Sequence, residues 1–71
     1  MQVNVGMIIG FNWLNPEIFE VEIDDAHHNV HKFTIKQYLK NINDYKLGNF
    51  VVVYKNEGEN DFRIKLISEL I

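Results

Sequence analysis

The stretch Phe33–Tyr54, FTIKQYLKNINDYKLGNFVVVY, decides how the chain is read. Its first half carries agreeing helix cues. Thr34 can serve as an N-cap, its hydroxyl accepting a hydrogen bond from a free backbone N–H of the first turn. Gln37 follows three residues later and completes a capping box. Phe33 and Tyr38 have the spacing of a hydrophobic staple, and Ile35, Leu39 and Ile42 share one helical face. The spacing therefore predicts a short α-helix. Gly48 then supplies a turn, since glycine reaches positive φ at little steric cost. Phe50-Val51-Val52-Val53-Tyr54 follows, a β-branched and aromatic strand without polar alternation. Such a strand is expected to be covered on both faces, one of them by the helix.

Working outward, the flanking segments read as strands. Val3, Val5, Met7, Ile9 and Phe11 alternate with Gln2, Asn4, Gly6, Ile8 and Gly10, which predicts a first strand with its odd positions inward. Gly6 and Gly10 mark bends or bulges. Asn12-Trp13-Leu14-Asn15-Pro16 breaks the alternation and ends in the turn signal Asn-Pro. Phe19, Val21 and Ile23 alternate with Glu20, Glu22 and Asp24, a second strand with one apolar and one acidic face. Asp25–Asn29 is the next loop, and Val30–Phe33 a short third strand leading into the helix. A hairpin of these two strands brings the acidic face near His31 or Lys32. Beyond the apolar strand, residues 55–60 form a polar hairpin loop around Gly58. Phe62, Ile64 and Leu66 then mark a fifth strand, and Ile67, Leu70 and Ile71 an apolar tail.

The order strand, strand, strand, helix, strand, strand in 71 residues implies one mainly β domain, residues 1–71, in a small barrel. Two barrels fit: an SH3-like five-stranded barrel, and an OB-fold, which carries its helix between strands 3 and 4. The whole chain resembles the YorP-like proteins of phage and prophage origin. The likeness runs through MQVNVGMIIGFNWLNPEIFEVEID, FTIKQYLKNIND and NFVVVYK. That family is described as five strands and one helix, grouped with SH3-like barrels. The resemblance thus implies an SH3-like barrel with one short α-helix between strands 3 and 4, and a phage-linked origin. The family's role is uncharacterised, so the likeness implies no catalytic or binding residue.

Composition narrows the function classes. The chain has no cysteine, so it has neither disulfides nor thiolate metal sites, which suits the reducing cytoplasm of a host cell. No run approaches the ~18 apolar residues of a membrane span, and the amino terminus does not read as a signal peptide. The net charge of −3 weighs against a dedicated nucleic-acid binder, yet the charges are segregated. Residues 17–25 are acidic, and Lys32, Lys36, Lys40 and Lys46 dominate residues 32–46.

Three constellations carry possible chemistry. His27, His28 and His31, with Asp24 and Asp25, supply groups that can ligate a transition metal. Their spacing falls on a loop, where neighbouring His27 and His28 diverge, and a solvated polar loop is the preferred reading; no metal or other cofactor is expected. No nucleophile–base set assembles from one serine and no cysteine, and Glu20 and Glu22 lie on a wet face, so no enzyme is expected. The lysines Lys32, Lys36, Lys40 and Lys46, with Tyr38, Tyr45, Trp13 and Tyr54 nearby in sequence, match the groove-and-stacking chemistry of single-strand binders. A solvated helix face and a staple explain most of them. Trp13, Leu14 and Pro16 are different: a tryptophan in a turn either caps a barrel end or anchors a partner. The sequence thus points to a non-catalytic protein-binding or adaptor module, with weak nucleic-acid binding through the lysines as the alternative.

Overall fold

A computed structural model of the chain describes residues 2–15 and 17–70. Five strands form one antiparallel sheet: β1 (Gln2–Asn15), β2 (Ile18–Asp25), β3 (Val30–Lys36), β4 (Phe50–Lys55) and β5 (Arg63–Leu66). Their spatial order is β3-β2-β1-β4-β5, every neighbour antiparallel. The long first strand is the spine, pairing with β4 along its first half and with β2 from Gly6 onward.

The curled sheet is not closed into a barrel, which corrects both the SH3-like and the OB expectation. Its edges meet at one parallel bridge, Ile35 to Phe62. Beside that bridge the Gln37 side chain stands in for a strand. Its Nε2 donates to the Ile64 carbonyl at 3.3 Å, and the Ile64 N–H donates to its Oε1 at 3.0 Å. Phe33 and Phe62 fill the remaining gap with ring centroids 4.8 Å apart. The two edges thereby cover one another, which leaves less exposed backbone for pairing with other chains.

The described residues contain no α-helix between β3 and β4. Thr34, Ile35 and Lys36 remain in β3, paired with Glu20, Phe19 and Ile18. Thr34 and Ile35 are β-branched and gain from this pairing, while Asn41, Asn43 and Asp44 are poor helix formers. Gln37 spends its amide on Ile64 rather than on a capping box. What remains of the helix is one 3-10 turn, Ile42–Asp44, in which Asp44 and Tyr45 donate to the carbonyls of Asn41 and Ile42. The apolar residues assigned to the helix are nevertheless used. Ile35 and Leu39 are buried, and Ile42 packs against the core.

The inner face of the sheet holds the core: Ile8, Phe19, Val21, Ile23, Ile35, Val51, Val53 and Ile64 are fully buried. Every one of these on β2 was legible as the apolar phase of an alternating strand. On β1 the phase is the reverse of that expected. Asn4, Gly6 and Ile8 lie opposite Val53, Val51 and Ile23, so the even positions face inward; Val3 and Val5 are half exposed. The cause is a bulge: Ile8 pairs with Ile23 and Gly10 with Glu22, so Ile9 has no partner on β2. One extra residue inverts the phase, and beyond it Phe11 and Trp13 face inward against Val21 and Phe19.

Gly6 is required by this crossing. A Cβ there would lie 2.7 Å from the Asp24 carbonyl oxygen. Gly48 sits at φ 95°, the positive-φ conformation expected of it, and Gly58 in its loop at φ 84°.

Candidate functional site

Beyond the bulge, β1 has β2 on one side only, because β4 pairs with Gln2–Met7 alone. The other side of this half-strand borders an open groove of about 980 Å³. One wall is Ile9, Gly10, Phe11 and Trp13; the other is the irregular segment Ile42, Asn43, Tyr45, Lys46 and Leu47. The bulge builds the first wall, since it turns Phe11 and Trp13 to this side. Backbone hydrogen bonds hold the second wall near Ile8: Gly48 N–H donates to the Ile8 carbonyl at 2.8 Å, and Ile8 N–H to Asn49 O at 2.9 Å.

The first wall is an aromatic stack. Phe11 lies parallel to buried Phe19 at 4.7 Å between ring centroids, and Trp13 tilts onto both at 5.2 and 5.1 Å. These separations are in the range where ring pairs add about 0.5–1.5 kcal/mol beyond area burial. Trp13 is thus fixed from beneath while 39% of its surface stays exposed. Trp13 extends the core to the end of the sheet and keeps an open face on the groove. It lies in β1 and not in a turn, because its pairing with Phe19 carries the strand onward.

Tyr45 closes the groove floor. Its ring is buried, and its hydroxyl donates to Glu69 Oε1 at 3.3 Å. Burial, and next the Glu69 carboxylate, push its pKa up to about 12. The hydroxyl therefore stays protonated as a structural donor. Glu69 also accepts from the Leu66 N–H at 3.4 Å, tying the 3-10 turn Ile67–Leu70 to the groove floor. Leu47, 68% exposed, and the Lys46 ammonium complete the rim. The surface is suited to hold an apolar or aromatic group, with one cation at its edge.

The other residues singled out by sequence fall as follows. Leu14 is a second bulge, skipped between the pairs Trp13–Phe19 and Asn15–Ile18, and is exposed. Pro16 lies outside the described residues. Lys46 joins Trp13 at the groove, but the other lysines do not. Lys32 is on β3, its Nζ 3.4 Å from Glu20 Oε2. Lys36 borders a depression with Glu17 and Tyr38, and Lys40 another with Lys65 and Glu69. Lys36, Lys40 and Lys46 therefore line separate depressions, the first two shared with a carboxylate, and Lys32 pairs with Glu20. Ile9, Phe11, Ile42 and Leu47 were not anticipated as site residues, and Tyr45 was named only as an aromatic beside the lysines. Leu47, an apolar residue stranded between Lys46 and Gly48, was the available signal.

The histidine loop is organised around Asp25. Its Oδ1 accepts from the backbone N–H of His27 at 2.8 Å and of Asn29 at 3.0 Å. Its Oδ2 lies 2.7 Å from His31 Nε2. The Asn29 N–H, followed by His31, holds the carboxyl down at about 2. His28 turns away at φ 61°, its Nδ1 3.8 Å from Asp24. Among the described residues no three histidine or carboxylate groups converge as metal ligands. Among them, too, no helix is long and apolar enough to cross a membrane.

The fold and site together define a small antiparallel β-sheet domain with an aromatic groove at one end. Comparison with family models, with curated proteins and with solved structures finds no match for the chain.

Proposed function

We propose that the chain is a non-catalytic protein-binding module that holds an apolar segment of a partner in the groove beside Trp13. The carrying observation is the Trp13 ring itself, braced on Phe11 and Phe19 and open toward Leu47 and Lys46. Interface energy concentrates in aromatic anchors held rigid in this way, because little side-chain entropy is lost on binding. Tyr45 and Lys46 are the titratable groups along the groove, and the Tyr45 hydroxyl is engaged with Glu69. The absence of cysteine and the resemblance to phage and prophage proteins support placing this module in the cytoplasm of a host cell.

The test uses peptides selected on the intact chain from a random display library. Trp13 is the sole tryptophan, so its emission reports the groove directly. Selected peptides should carry apolar or aromatic residues and shift that emission. Trp13→Ala should weaken them about tenfold or more, the effect of losing ~1.4 kcal/mol. A selection whose peptides bind Trp13→Ala as tightly as the parent would sink the reading. Low-salt titration with short oligonucleotides, followed by NMR shifts at Lys36, Lys40 and Lys46, checks the lysine alternative.

A further inference from the structure

We propose that the partner segment enters the Trp13 groove as an extended strand, pairing its backbone with the open edge of β1 at Phe11 and Trp13 and bringing an acidic residue to Lys46. This rests on the groove reading above and adds the conformation and chemistry of the occupant. Ile8 shows which way the backbone points. Its side chain is buried on the inner face, and its N–H and C=O turn toward the β4 side, where they bond Asn49 O and Gly48 N–H. Along a strand of L-residues the side-chain face and the direction of N–H and C=O alternate together. Phe11 and Trp13, beyond the bulge, face inward like Ile8 and stack on Phe19. Their N–H and C=O groups therefore also point to the β4 side. No strand meets them there, because β4 pairs only as far as Met7. Among the described residues no backbone hydrogen bond joins Phe11 or Trp13 to the wall at 42–47. Two rungs of a β-ladder are thus left open, and the group that matches alternating donors and acceptors at this spacing is another extended backbone.

The surroundings select the occupant. The far wall, residues 42–47, stands across a groove of about 980 Å³, so the edge of a folded sheet, that of a second copy included, runs into this wall. A single strand lies about 4.8 Å from β1 and takes the line that β4 leaves. Its side chains alternate between solvent and the inner face, where Phe11 and Trp13 lie, so every second one is apolar. Lys46 is the only charged side chain lining the groove, and it makes no ion pair among the described residues. An acidic residue on the strand complements it. The occupant is an extended peptide with apolar residues at alternate positions and a carboxylate at the Lys46 rim.

A display-selected peptide, synthesised with one N-methylated residue at a time, tests this on the intact chain through the emission of Trp13. N-methylation removes a backbone donor and keeps every side chain. Affinity should fall about tenfold or more at alternate residues and stay within about twofold at those between. Hydrogen exchange reads the edge directly. In the unliganded chain the Phe11 and Trp13 amides should exchange about tenfold or more faster than that of Asn12, which points to β2, and should slow on binding. Lys46→Glu should weaken the peptide about fivefold. A peptide that depends on Trp13 but tolerates N-methylation at every residue overturns the strand and leaves the groove reading standing. Phe11 and Trp13 amides as protected as Asn12 in the unliganded chain overturn it too. Selected peptides without acidic residues, or bound equally by Lys46→Glu, overturn the charge match. A library that yields no Trp13-dependent peptide overturns both the strand and the groove reading.

Discussion

Before Ile9, the odd-numbered residues of β1 face outward, and Val3 and Val5 make half of an exposed apolar strip. After Ile9, the odd-numbered residues face inward, and Phe11 and Trp13 stack on Phe19. The alternation of residue types barely changes between the two halves. What changes is the phase, through one residue that has no partner on β2. A strand's apolar pattern defines two faces, but which of them meets the core depends on registry with its neighbours. The first half pairs with β4 along Gln2–Met7 and with β2 from Gly6, so its core side is set by Val51, Val53 and Ile23. The second half has β2 alone, and the space where β4 would continue becomes the groove.

Deleting Ile9 should have the largest effect. Without the bulge, either Phe11 and Trp13 turn outward or Asn4 and Ile8 exchange places with Val3, Val5 and Met7. The first exposes the Phe11 and Trp13 rings, worth several kcal/mol; the second exposes Ile8 and crowds Val3, Val5 and Met7 into space shaped for Asn4 and Gly6. The deletion variant should lack a cooperative urea transition and near-ultraviolet dichroism. A native-like transition in this variant would mean that the two halves are not phased by the bulge.

The two glycines sharpen the same contrast at smaller cost. Gly6→Ala places a Cβ against the Asp24 carbonyl, a backbone atom that cannot swing aside. It should destabilise by about 1–3 kcal/mol. At Gly10, beyond the bulge, a Cβ would meet only the Glu22 side chain at 3.5–3.6 Å. Gly10→Ala should lie within about 0.5 kcal/mol of the parent. Urea midpoints compare the pair, and equal midpoints would break the distinction.

The smallest effects are those of pH, and they act on opposite halves. Asp25 pairs with Gly6, and its carboxyl is held down from 3.8 to about 2. A depressed acid contributes stability that is present above its unfolded value, so this contribution is complete above about pH 4 and is lost as pH falls through 2. Tyr45 borders the groove, and its hydroxyl is raised from 10 to about 12. Its contribution is complete below pH 10 and is lost as pH rises through 12. Thermal melts should show Asp25→Asn flattening the acid limb alone and Tyr45→Phe the alkaline limb alone. A variant that altered the opposite limb would contradict these assignments.

Several elements were legible from local pattern. Phe19, Val21 and Ile23 alternate with acids and are buried as that alternation requires. The turns at Gly48 and Gly58 adopt positive φ, and the β2–β3 hairpin brings Lys32 to Glu20 and His31 to Asp25. The capping box and staple at Phe33–Tyr38 misled because the same residues serve a strand better. Thr34 and Ile35 find partners on β2, and Gln37 finds Ile64, 27 residues away in sequence. At the candidate site, Trp13 and Lys46 were legible as residues of interest. Their shared groove was not, because its walls lie some 30 residues apart along the chain.

The sequence by itself determined a cysteine-free β domain, the apolar face of β2, the glycine turns, and the burial of Ile35 and Leu39 whatever their backbone conformation. Burial follows from side-chain chemistry, which every residue carries with it. The tertiary structure alone decided the phase of β1, the strand in place of the helix, the open sheet and the groove at Trp13. Each of these depends on which distant backbone supplies a hydrogen-bond partner, and no local pattern encodes that choice.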